Sequence, residues 1–207
     1  MKKRTLYRII EAKRRECMNH LGLEQKIQQI SGKKLSSVTY VELNRSNHNY
    51  RFHGVHTVDF GVELSFSDGT LLHFSWDEEL SHFNIDLGAI PFSNIFTLEE
   101  MQLWRVEKEK EWEAFLDQEV VDASICWDWL KSREGTKYYV PQDLIISFAN
   151  GETITLCVGE FENHPVLGQR LESMPGGDVF ILFTEEQAKK LRRGNHGVAT
   201  SYLMLHN

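Results

Sequence analysis

An α+β fold is predicted, with an internal duplication of an antiparallel β unit (three to four strands followed by a capped helix) and an N-terminal amphipathic helix. Three observations carry this reading. A glycine turn between alternating segments occurs twice, as Phe66-Ser67-Asp68-Gly69 and Phe148-Ala149-Asn150-Gly151, 82 residues apart. At that spacing Val38 falls on Val120, Arg51 on Arg133, Val58 on Val140 and Glu78 on Glu160. A helix-start signature, Thr97-x-x-Glu100, returns as Thr184-x-x-Gln187 after 87 residues. In such a box the threonine oxygen accepts a hydrogen bond from a free first-turn amide, and the Glu or Gln returns one. Repeated units of this kind bury one another's apolar faces. The growth in spacing is placed at His164 to Gly177, where Pro165, Pro175, Gly176 and Gly177 favour a loop.

Taken in order, residues 1–34 form a basic helical segment, with Leu6, Ile9, Ile10, Cys17, Met18 and Leu21 on its inner side. They carry ten Lys or Arg against three acids, +7, which leaves −14 on the rest of a chain whose net charge is −7. The first β unit, residues 35–97, opens with a strand at Leu35 to Leu43. From Val58 to Phe66 apolar and polar residues alternate, and Leu72, Phe74 and Trp76 alternate again after the turn. A three-residue Ser67-Asp68-Gly69 loop with Gly69 left-handed pairs Leu64 with Leu72, Val62 with Phe74 and Phe60 with Trp76, so one face is wholly apolar. A connecting helix is expected over 98–118, from the stripe Leu98, Met101, Trp104, Trp112, Phe115 and Leu116. The second unit, 119–207, repeats the plan. It has a strand at Val120 to Leu130 bearing Val121, Ala123, Ile125, Trp127 and Trp129 on one side, and a hairpin pairing Ile146 with Ile154 and Leu144 with Leu156. A strand at Val179 to Phe183, a helix from Glu185 to Arg193 stopping at Gly194, and a short strand near Val198 to Leu205 complete it.

Composition narrows the function classes. With 207 residues and 41% apolar content the chain can bury a full core, and no apolar run approaches the roughly 20 residues that cross a bilayer. Met1-Lys2-Lys3-Arg4 is followed by a charged helix rather than an apolar stretch, so a cytoplasmic protein is expected. Cys17, Cys126 and Cys157 are odd in number and far apart, which favours reduced, buried thiols. No phosphate-binding glycine loop, nucleophile elbow, zinc-protease helix or dinucleotide fingerprint occurs, and no cofactor is expected. Whether the protein is an enzyme is left open by these residues, with the balance against.

Two stretches are candidates for function. The leading reading is a non-catalytic protein-binding module of the adaptor, inhibitor or immunity type, whose acidic body meets another protein, a basic one by charge complementarity. Its contact residues are Asp59, Glu63 and Asp77, together with Tyr50 and Arg51 in one polar loop and Arg133 and Tyr138 in the matching loop of the second unit. The rival reading is a metal-dependent enzyme or metal-binding regulator using His53, His56, His73 and Glu63, since imidazole and carboxylate are ordinary ligands. The register sets Glu63 opposite His73 on the face away from the apolar side, where a solvated outer face is the plainer account. Nucleic-acid contact through the basic head is a weaker third reading, because the acidic body repels a polyanion. A homo-oligomer is compatible with all three.

Overall fold

The structure, a computed structural model, describes residues 22–43, 50–52, 54–76, 83–88, 91, 101–131, 137–164, 168–172 and 178–191. Among these residues two antiparallel sheets dominate. The first has the order β6-β5-β4-β1-β7, from β1 (Leu35–Leu43), β4 (Gly61–Phe66), β5 (Leu71–Trp76), β6 (Phe83–Gly88) and β7 (Met101–Arg105). The second has the order β2-β3-β12-β10-β9-β8, with β11 also on β10. It is built from β2 (Arg51–Phe52), β3 (Val55–Val58), β8 (Val120–Lys131), β9 (Lys137–Phe148), β10 (Thr153–His164), β11 (Gly168–Glu172) and β12 (Asp178–Leu182). Helix α1 covers residues 22–28 and α2 covers Glu185–Leu191.

Period-two alternation makes the sandwich. Val38, Val62, Leu64, Leu72 and Phe74 of the first sheet and Ala123, Ile125, Leu144, Ile146, Ile154 and Leu156 of the second bury one shared core, closed by Ile27, Ile30, Trp112 and Phe115. The far face of the second sheet holds Val55, Cys157, Phe180 and Leu182, against which Ala188 of α2 packs. Both hairpins take the predicted register within their ladders, but Phe60, expected opposite Trp76, lies in the bend before β4 and packs with Val41 and Met101 instead. Leu64 pairs with Leu72 and Val62 with Phe74, Ile146 with Ile154 and Leu144 with Leu156. Gly69 (φ 87°) and Gly151 (φ 86°) supply the left-handed residue that a side chain would strain. The second helix start is also as predicted: Gln187 N–H donates to Thr184 Oγ1 at 3.0 Å, and Gln187 Oε1 accepts from the Phe183 amide at 2.8 Å.

The connecting helix over 98–118 is overturned within 101–118. Met101–Arg105 is a strand that pairs with the edge of β1, Leu43 opposite Met101 and Thr39 opposite Arg105, and Val106 N–H continues to Val38 O. A turn of 3-10 helix at Lys110–Trp112 follows. The open edge of β1 offers backbone partners that outweigh the helical stripe, while Trp112 and Phe115 keep their inward spacing inside the turn. Two smaller corrections concern strands. The alternating run from Val58 is broken at Asp59-Phe60, so that Val58 ends β3 in the second sheet and Gly61 starts β4 in the first. Val121 is exposed rather than aligned with Ala123, because a bulge shifts the register between Val120 and Asp122. Of the expected basic helical segment over 1–34, residues 22–28 are helical, 29–32 form a turn and Lys34 enters a β-bridge, while residues 1–21, the first capping box and the strand near 198–205 lie outside the described residues.

Backbone hydrogen bonds recur in pairs about the junction of Lys34 with Glu119, an isolated antiparallel bridge. Gly32 N–H donates to Val120 O at 2.8 Å, and Asp117 N–H to Leu35 O at 2.8 Å. Leu35 N–H donates to Gln118 O, and Val120 N–H to Lys33 O. Each member maps onto its counterpart by 85 residues, Leu35 onto Val120 and Gly32 onto Asp117. Both first strands carry a bulge at the same place, Leu35/Ser37 and Val120/Asp122. Gly32 (φ 78°) and Asp117 (φ 60°) are both left-handed, which costs a non-glycine residue about 1 kcal/mol. Asp117→Gly is therefore expected to stabilise the protein by about 0.5–1 kcal/mol, seen as a melting temperature a few degrees higher; a lower one would show that the aspartate serves the turn.

Candidate functional site

Where β3 crosses to the second sheet it carries His56 into the sandwich, 2% exposed. Three elements meet there. Tyr40 comes from β1, Trp112 from the 3-10 turn, and Phe183 from the end of β12. The His56 ring lies edge-on to Phe183 (4.8 Å between centroids), Tyr50 (5.2 Å) and Tyr40 (5.6 Å). Trp112 Nε1 donates to Tyr40 Oη at 2.8 Å, and Tyr40 Oη meets His56 Nδ1 at 2.7 Å. An indole N–H only donates, so the tyrosine oxygen accepts from Trp112, and giving its own proton to His56 Nδ1 puts the phenol hydrogen to use as well. In that arrangement the neutral ring carries its hydrogen on Nε2. That atom is buried, has no hydrogen-bond partner, and stands 3.8 Å from Oε2 of Glu111.

Electrostatics follow from this burial. Desolvation lowers the His56 pKa from 6.5 to about 4, with the Arg51 cation acting in the same direction and Glu111 opposing it. Burial pushes the Tyr40 phenol well above its ordinary value, the Trp112 hydrogen bond offsetting part of the rise. At the rim, Glu109 accepts from Tyr50 Oη at 2.7 Å and forms an ion pair with Arg51, itself 55% exposed. Glu111, at 42% exposure, stands beside them. The β2–β3 hairpin is thus tied to the turn that begins the second half of the chain. Gln187 Nε2 adds a bond to Gly54 O at 2.9 Å.

The predicted site residues separate. Tyr50, Arg51 and His56 come together in this cluster. Glu63 and His73 form a buried pair at 3.0 Å on the outer face of β4 and β5, 5% and 6% exposed, which overturns the expected solvated face. Val41, Met101, Phe60 and Leu103 form an apolar cluster on the same side of the sheet. Asp59 is half-buried at the bend. Tyr138 lies on β9 opposite Leu130, and Asp77, His53 and Arg133 are outside the described residues. His56 and His73 sit on different sheets, and no group of three or more His, Cys, Asp or Glu within reach of one metal ion occurs among the described residues.

Glu109, Glu111 and the Tyr40–Trp112 bond were missed from the sequence, because their stretch reads as a helix face. The one available signal was the pairing of Ile27-x-x-Ile30 with Trp112-x-x-Phe115 at the 85-residue spacing. The two places differ in chemistry. Where one holds Trp112 and Tyr40, the counterparts are Ile27 and Ile125, both buried in the shared core. Cys126 and Cys157 are both buried. No helix among the described residues is long and apolar enough to cross a membrane. No family model matches the chain, nor does any curated protein or solved structure.

Proposed function

We propose that the protein is a non-catalytic, cytoplasmic protein-binding module of the adaptor, inhibitor or immunity type, made by tandem duplication of a β unit that begins at the helix or turn before its first strand. The paired backbone bonds about Lys34 and Glu119, and the matching bulges, support the duplication. The binding reading rests on the asymmetry between the halves. One junction is hydrocarbon, whereas the other has gained a polar aromatic cluster whose rim presents Tyr50 and Arg51 from the hairpin and Glu111 from the 3-10 turn. A sandwich that can be closed by Ile27 and Ile125 has no structural need of such a rim. Tyrosine and arginine held in place by an ion pair lose little freedom on meeting a partner. The net charge of −7 favours a basic partner surface.

The test is capture of a partner from the source cell, compared among wild type, Arg51→Glu and Asp59→Lys. The expected result is a partner whose affinity falls about tenfold with Arg51→Glu and whose salt dependence flattens with Asp59→Lys. Equal binding by all three would remove the hairpin from the interface. Catalytic turnover abolished by Arg51→Glu would replace the module reading with an enzyme.

A further inference from the structure

We propose that the Trp112–Tyr40–His56 chain is an acid-released latch, which holds the β2–β3 hairpin in the second sheet and opens when His56 gains a proton. One neutral arrangement uses every polar hydrogen of the chain: Trp112 donates to Tyr40, Tyr40 donates to His56 Nδ1, and Nε2–H faces Glu111. In that arrangement a second proton enters at Nδ1, which turns the Tyr40–His56 bond around. The phenol must then accept from both Trp112 and the imidazolium and swing its own hydrogen away from the ring, giving up the acceptor it had at 2.7 Å. The charged ring has a better place nearby. Glu111 is partly exposed and 3.8 Å from Nε2, so the imidazolium is drawn away from Tyr40 and toward the rim.

The groups facing the ring are Tyr40 from β1, Tyr50 and Arg51 from the hairpin, and Glu109 and Glu111 from the turn; the end of β12 brings only the apolar ring of Phe183. Of these, Glu111 favours the cation while Arg51 and burial oppose it, which holds the ring neutral at pH 7. The halves supply an internal comparison. Ile27 and Ile125 fill the corresponding places without a titratable group, so the fold does not require the latch where the latch occurs.

A histidine whose folded pKa lies below its unfolded value contributes no penalty above pH 6.5, and the folded state loses ground as pH falls from 6.5 through about 4. Between pH 7.5 and 4.5 this one group should lower the folding equilibrium constant roughly 70-fold. Urea unfolding of the intact chain at both pH values is expected to show that extra loss in wild type and its absence in His56→Phe. In wild type alone, amide exchange at Thr57, which donates to Tyr50 O at 2.7 Å, should lose protection at pH 4.5 by at least about tenfold more than Leu64 in the core. Nitrogen-15 spectra should show the Nε2–H form at pH 7. Glu111→Gln should move the His56 titration to still lower pH. A His56 ring that titrates near 6.5, or equal loss of protection at Thr57 and Leu64, overturns the latch. The inference concerns the hairpin of the binding reading, but every measurement is made on the free protein, so either can fail without the other.

Discussion

Replacing Trp112 by alanine is expected to lower the free energy of unfolding by about 3–5 kcal/mol. The indole is fully buried between the sheets, edge-on to Tyr40 (6.4 Å), Phe115 (5.8 Å) and Phe183 (5.1 Å). Its removal leaves a void among stiff rings that cannot collapse into it. The Tyr40 oxygen also loses the donor that orients it toward His56. Trp112→Phe should retain much of the packing and lose the polar part, about 1–2 kcal/mol. Equilibrium urea unfolding with an unchanged slope is the measurement. A loss below about 1 kcal/mol for the alanine variant would mean that Trp112 is not the piece closing the junction.

The second large effect is expected at Gly61, where the chain has just left the second sheet and enters the first. A Cβ there would stand 2.7 Å from Cβ of Ser75 and 2.8 Å from the Phe74 carbonyl oxygen. Gly61 faces Ser75 across the β4–β5 ladder, so neither contact can turn aside without moving backbone. Gly61→Val should cost about 3 kcal/mol, and Gly61→Ala a large part of it. Space is the cause, because this glycine does not have the positive φ of Gly69 or Gly151. Faster amide exchange along β5 should accompany the loss. An alanine variant as stable as wild type would show that the two strands leave room for a methyl group at this crossing.

The parts of the fold legible beforehand share one property: their signals act over a few residues. Alternation on both sides of Gly69 and Gly151 forces the three-residue loop, since any other register turns leucines to both faces. Thr184 and Gln187 announce a helix start because their partners are amides of the same turn. For the proposed repeat, the spacing of 82 at the hairpins hid the spacing of 85 at the preceding turns, since three more residues separate turn from hairpin in the first stretch than in the second. Met101–Arg105 failed for the opposite reason. Its apolar residues fit a helical stripe as well as a strand, and the choice lay with an open edge more than 50 residues earlier, at Val38 to Leu43. At the site, Tyr50, Arg51 and His56 were recognisable as functional types, whereas Glu109, Glu111 and Trp112 looked like the face of a helix.

Local chemistry in this chain was enough to specify the hairpins, their greasy side and the acidic balance, because periodicity and glycine conformation are properties of neighbouring residues. Only the folded molecule decided that the strand ending at Val58 leaves one sheet for the other, that Glu63 and His73 are covered, and that His56 meets Tyr40 and Trp112. Those outcomes depend on desolvation and hydrogen bonding between groups remote in the chain, and such energies come into being only when the sheets close.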